Sequence, residues 1–86
     1  MPKFEVFQGY RFDIEAAEIV AQYEPMWVGR TPSGTWFIYD DSAGGIEAAY
    51  LCDCNVTAFA ELLVSHGFAE VVLEHFATEV DVIPEA

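Results

Sequence analysis

Basic residues are scarce in this sequence of 86 residues. Lys3, Arg11 and Arg30 stand against fifteen Asp and Glu residues, which gives a formal net charge of -12. Binding to DNA or RNA requires clustered Lys and Arg to neutralise phosphates, so the sequence argues against direct binding to nucleic acid. The same shortage argues against binding to anionic membranes. A charge of this size favours encounter with a cationic protein surface instead.

Cysteines and long apolar runs are also scarce. Cys52 and Cys54 are too few for the disulfide framework of a secreted scaffold. A disulfide between them would close a tight ring, so we expect two free thiols in a reducing compartment. No run approaches the roughly 18 apolar residues that span a bilayer, and residues 1–5 do not resemble a signal peptide. We therefore expect a cytoplasmic protein without a membrane partner.

Catalytic motifs are absent as well. The sequence has no glycine-rich phosphate loop, no Gly-x-Ser-x-Gly turn and no His-Glu-x-x-His pair, so we expect a protein that is not an enzyme and needs no cofactor. Four residues of the Cys2His2 ligand types are present: Cys52, Cys54, His66 and His75. Their spacing does not fit the tight turns of structural zinc sites, which leaves a zinc-stabilised protein as a minor alternative.

Hydrophobic residues make up 53% of the chain, and they alternate with charges in patterns that predict a folded domain. We treat residues 1–86 as one α+β domain. A short strand is predicted over residues 4–8. The helical spacing of apolar residues that follows predicts a first helix over residues 13–24, with Asp13 as its N-cap. This helix would place Glu15 and Glu18 on its exposed face.

The middle of the chain predicts an antiparallel meander. Residues 26–31 and 35–40 are rich in aromatic and β-branched residues, and Pro32 and Gly34 suit the turn between them. A third strand is predicted over residues 46–52. Both faces of these strands are apolar, so we expect helices to cover one face and a partner to cover the other.

The last third of the chain predicts helices and one edge strand. A second helix begins near Asp53 or Asn55 and ends at Gly67. Its predicted buried stripe consists of Val56, Phe59, Ala60 and Leu63. Residues 68–76 fit a helix or a strand, and we favour a short helix. Residues 79–83 alternate like an edge strand. The expected fold is a three-stranded meander with additional edge strands, packed against two or three short helices.

The acidic side chains are the main candidates for function. Spaced a few ångströms apart on a rigid framework, carboxylates can occupy a groove built for phosphates. Exposed aromatic side chains would add the anchors that dominate protein interfaces. The predicted partner-binding residues are Glu15, Glu18, Asp40, Asp41, Glu47, Trp27, Trp36 and Tyr39.

In size, acidity and lack of a catalytic motif, the chain resembles the small phage-encoded inhibitors of host defence, the anti-CRISPR and anti-restriction proteins. Some of these mimic nucleic acid. The resemblance implies a protein that blocks nucleic-acid binding by a Cas complex or a restriction enzyme in the cytoplasm of a bacterial host. The main alternative is a small structural or oligomerisation domain, such as a homodimer, whose charge only keeps it in solution.

Overall fold

The computed structural model describes residues 3–86. Six strands lie within residues 4–49 of this range, and two α-helices follow. The strands are β1 (Phe4–Phe7), β2 (Tyr10–Asp13), β3 (Glu18–Tyr23), β4 (Met26–Arg30), β5 (Trp36–Asp40) and β6 (Gly45–Ala49). The helices are α1 (Val56–Ser65) and α2 (Ala69–His75). Short 3-10 segments, Asp53–Asn55 and Ala77–Val82, precede α1 and follow α2.

Strands β3 to β6 form a four-stranded antiparallel sheet in chain order. This confirms the predicted α+β class and the meander, which gains β3 as a fourth strand. The β4–β5 hairpin turns where it was predicted to turn: Gly34 N donates to Thr31 O at 2.8 Å, and Thr35 N donates to Thr31 Oγ1 at 3.1 Å. Gly34 has a φ of 94°, a conformation that glycine adopts without the steric cost of a Cβ.

Side chains alternate across the sheet, so each face has its own hydrophobic core. Helices α1 and α2 cover one face, where Val28 and Ile38 are fully buried. The β1–β2 hairpin covers the other face, and Phe12 packs there on Phe37. The expectation that a partner would cover this second face is wrong, because the chain's own N-terminal hairpin does so.

The first predicted helix is wrong, since residues 18–23 form β3. A bulge between Ile19 and Ala21 inserts Val20 as an extra residue, so that both Val20 and Ala21 pack against the helix-side core. The bulge interrupts the alternation of buried and exposed side chains that marks a strand in a sequence. Asp13 does act as a cap, but of a turn: its Oδ1 accepts from Ala16 N at 3.1 Å.

The second predicted helix is confirmed as α1, with Phe59, Ala60 and Leu63 buried. Gly67 follows it with a φ of 93°, and the preferred helix in residues 68–76 is confirmed as α2. The predicted strand at residues 79–83 is wrong. A 3-10 segment covers most of it, and its half-buried Val82 packs on the helix-side core. A hydrogen bond from Thr57 Oγ1 to Glu79 ties this segment to α1.

Candidate functional site

The predicted acidic residues do not form one surface; they lie at two ends of the sheet. Register pairs Met26 with Asp40 at one end of the β4–β5 ladder and Arg30 with Trp36 at the other. At about 3.3 Å per residue, these ends are about 13 Å apart. Glu18 lies opposite Arg30, at the end away from Asp40. The site predicted from sequence is therefore divided.

At the first end, two turns place three acidic residues at the same end of the sheet. Asp41 N donates to Pro25 O at 2.9 Å, which joins the β5–β6 turn to the β3–β4 turn. Glu24, Asp40 and Asp41 thus share this end of the sheet, which we call the acidic end. Glu24 and Asp41 are exposed, and Asp40 is half-buried. Glu24 was not among the predicted residues, because only the folding of β3 back onto β4 brings its turn to the turn that holds Asp41.

Local hydrogen bonds hold Asp40 rigid. Its Oδ1 accepts from Ser42 Oγ at 2.6 Å and from Ser42 N at 2.9 Å. These bonds favour the charged form, the side-chain bond most strongly, and they hold the pKa of Asp40 below its ordinary value. Asp41 is held by the Trp27 indole, whose Nε1 donates to Asp41 Oδ1 at 3.3 Å. At the acidic end, Ser42 thus favours the charged form of Asp40, and Trp27 holds the carboxylate of Asp41 in place.

Lys3 is the cation nearest to this end. Its Nζ donates to Tyr39 Oη at 2.8 Å and lies 5.0 Å from the centre of the tyrosine ring. The hydrogen bond to Tyr39, with smaller contributions from the charges of Glu5 and Asp41, raises the pKa of Lys3. Lys3 is thus engaged by the protein itself and offsets part of the negative charge there.

The other two cations are also engaged. Arg30 Nη2 pairs with Glu18 Oε1 at 2.8 Å, and the guanidinium lies 5.0 Å from the centre of the Trp36 ring. Arg11 lies 5.1 Å from the centre of the Phe4 ring. Of the fifteen Asp and Glu residues, only Glu18 pairs with a Lys or Arg within residues 3–86. Most carboxylates within this range therefore form no ion pair with a Lys or Arg side chain.

The remaining two predicted acids lie apart from the acidic end. Glu15 is exposed in the turn that leads from β2 to β3. The loss of the first predicted helix removes the reason to group it with Glu18. Glu47 is exposed on β6, where it lines a shallow groove together with Phe7 and Leu62. Neither residue lies at the acidic end.

The expectation of exposed aromatic anchors at Trp27, Trp36 and Tyr39 is wrong. Their exposed fractions are 7%, 9% and 2%, because all three lie on the two central strands of the sheet. Trp27 stacks on Tyr39 with ring centres 5.1 Å apart, and Trp36 packs edge-on against Phe76 at 5.2 Å. Two other tyrosines are exposed instead, Tyr23 at 65% and Tyr10 at 59%. In the sequence, the signal for their exposure was that each of these tyrosines stands next to a turn.

The cysteines also differ from the prediction. A disulfide joins Cys52 and Cys54, since the 3-10 turn at Asp53 brings their Cα atoms to 5.3 Å, a normal disulfide separation. Free thiols were expected, and the cysteine argument for a reducing compartment no longer holds. Neither cysteine offers the thiolate that the zinc alternative needs. Within residues 3–86, no three His, Cys, Asp or Glu side chains lie close enough together to hold a metal ion.

Comparisons with protein-family models, with curated proteins and with solved structures found no match to this chain. In the part of the chain that the structure describes, no helix is long and apolar enough to cross a membrane. The function is therefore inferred from the residues of this chain and their positions in the structure.

Proposed function

We propose that this protein is a non-enzymatic inhibitor that binds a basic, nucleic-acid-handling protein and blocks its access to nucleic acid. The observation that supports this proposal is the acidic end, where Glu24, Asp40 and Asp41 lie at one end of the four-stranded sheet. A surface that has evolved to bind phosphates already arranges its Lys and Arg side chains for such charges. Binding would therefore need little reorganisation of the partner.

The distribution of cations supports the same proposal. All three are held by the protein's own aromatic rings or carboxylates, so they offer little repulsion to a basic partner. A net charge of -12 would speed the encounter. We propose that the partner is a Cas effector complex or a restriction enzyme. Both bind nucleic acid in the bacterial cytoplasm. A phage-encoded inhibitor would act in that compartment.

The test compares two variants of equal charge. The first neutralises the acidic end through Glu24→Gln, Asp40→Asn and Asp41→Asn, which keep oxygen acceptors for Ser42 and Trp27. The control removes three exposed charges elsewhere through Glu15→Gln, Glu61→Gln and Glu85→Gln. Tagged wild type is incubated with a nuclease-treated bacterial lysate, washed at low salt and eluted at high salt, and the eluted proteins are identified by mass spectrometry.

We expect a basic nucleic-acid-binding protein in the salt eluate, displaced also by added duplex DNA. If each neutralised carboxylate contributes about 0.5 kcal/mol to binding, the first variant should bind about tenfold more weakly. The control should bind nearly as wild type does. Equal weakening of both variants would show a general charge effect and contradict the role of the acidic end. Recovery of the bait alone would contradict the proposed function and favour the oligomerisation domain.

A further inference from the structure

Strand β3 is an open edge of the four-stranded sheet. It pairs with β4 on one side only, and its residues Glu18, Ile19, Gln22 and Tyr23 are exposed. The opposite edge strand, β6, lies against β1 and α1. An open edge strand presents unpaired backbone N–H and C=O groups to which another extended segment can add. Both edge strands thus pair with one neighbour only, and β3 is the one with the larger groove beside it.

A groove runs beside the C-terminal half of β3. It has a volume of about 470 Å³ and lies between Ala21–Tyr23 and the start of α2 at residues 67–71. Gly67 forms its floor next to Tyr23: a Cβ at Gly67 would lie 2.7 Å from Tyr23 Cδ2, so only glycine lets the ring lie so close to the backbone. An added strand would direct every second side chain towards the helix layer. That side chain would enter the groove.

The bulge at Val20 restricts where such a strand can pair. Bulges interrupt the regular ladder, and proteins use them to guard open edges. In β3 the bulge lies between Ile19 and Ala21, so the regular stretch that remains is the half beside the groove. Strand addition is therefore expected at Ala21–Tyr23.

Charge decides what kind of segment fits. Glu70 lines the groove, and Glu24 directly follows Tyr23 at the acidic end. A second copy of this chain would bring its own charge of -12 to the same edge and be repelled. A basic segment would be attracted, and its Lys or Arg side chains would reach Glu24 and Glu70.

We propose that β3 and its groove accept an extended basic segment of the partner as an added antiparallel or parallel strand, with one apolar side chain of that segment in the groove. This inference rests on the proposed function, because it takes a basic partner as given. It adds the mode of contact: backbone hydrogen bonds hold the segment, the groove selects an apolar side chain, and the carboxylates select its charge.

The test uses a synthetic peptide of about eight residues, the length of a long strand, in which lysine and valine alternate. A second peptide of the same sequence carries N-methyl groups on all of its backbone amides, so that it keeps the charge and loses the backbone donors of both edges. Both are titrated into labelled protein and followed by NMR. We expect shifts confined to β3 and the start of α2, slower hydrogen exchange of outward β3 amides, and binding at least about tenfold weaker for the methylated peptide.

Two exposed tyrosines provide matched variants. Tyr23→Lys places a positive charge at the groove and removes an apolar contact, and it should weaken binding of the unmethylated peptide about tenfold. Tyr10→Lys makes the same change on β2, where the side chain is 59% exposed against 65% for Tyr23. It should change binding less than about twofold.

Three results would overturn strand addition. Equal binding of the two peptides would show that charge alone attracts them, and the acidic end could still act as proposed. No binding of either peptide would exclude the edge as a site for basic strands. The third result is a wild-type dimer that neither peptide dissociates. If Tyr23→Lys then dissociated this dimer, a second copy of the chain would occupy the edge. The proposed function is tested by a different experiment: it is contradicted if no basic protein is recovered from the bacterial lysate.

Discussion

Gly29 lies at the centre of the sheet, where two aromatic rings cover it. A Cβ added to Gly29 would lie 2.6 Å from both Phe37 Cζ and Trp27 Cζ3. Phe37 is fully buried, Trp27 is 7% exposed, and their ring centres are 5.3 Å apart. Neither ring can move without disturbing the core under the β1–β2 hairpin. We therefore predict that Gly29→Ala destabilises the protein.

The cost can be worked out from the geometry. Forcing an extra methyl group into a well-packed core costs about 1–3 kcal/mol. The two contacts of 2.6 Å are far below the separation of about 3.5–4.0 Å at which carbon atoms attract each other. We therefore expect the free energy of unfolding to fall by about 2 kcal/mol. In a domain of this size that is a fall in Tm of about 8–16 °C. Urea unfolding monitored by tryptophan fluorescence measures the loss.

Gly45→Ala is the matched control. Gly45 lies in β6, and the nearest atom to an added Cβ is Oε1 of Glu5, at 3.0 Å and at the end of a flexible side chain. This variant should change the free energy of unfolding by less than about 1 kcal/mol. If Gly29→Ala proved as stable as Gly45→Ala, the reasoning would be refuted, because the aromatic rings could not then pack over Gly29 as described.

Two further predictions concern the charged groups. Because hydrogen bonds from Ser42 lower the pKa of Asp40 in the folded state, they add stability above the ordinary pKa of an aspartate, and this stability is lost as pH falls through the lowered pKa. NMR titration should show a higher Asp40 pKa in Ser42→Ala, and an unchanged value would disprove the cause. Glu18→Gln should lower the free energy of unfolding by less than about 1 kcal/mol, since the ion pair of Glu18 with Arg30 is exposed. Arg30→Ala should cost more in thermal unfolding, because it also removes the contact with Trp36; equal losses would contradict this.

Local patterns were sufficient for the central hairpin and both helices. Thr31 and Gly34 close a turn through bonds within the turn itself, and Gly67 ends α1 with a left-handed conformation. Such features depend on residues a few positions apart, so the sequence displays them directly. The fold class followed from the same features.

Strand β3 was missed because its local signals point the wrong way. Asp13 caps a turn as it would cap a helix, and the bulge at Val20 breaks the alternation that marks a strand. Only pairing with β4 makes the segment a strand. The end of the chain was missed for a similar reason, since Val82 and Ile83 pack on the helix-side core in a 3-10 turn and not in a ladder.

The candidate site also depends partly on composition and partly on the fold. The excess of carboxylates and the shortage of cations are properties of composition, and no fold could remove them. Their distribution is a property of the fold: the return of β3 onto β4 brings the turn that holds Glu24 to the turn that holds Asp41, and the length of the strands separates Glu18 from Asp40. Burial of Trp27 and Tyr39 likewise depends on the N-terminal hairpin, which lies far from them in sequence. Composition determines how much charge and how many apolar residues the chain carries. Long-range strand pairing determines which side chains meet, because it joins residues that no local sequence pattern connects.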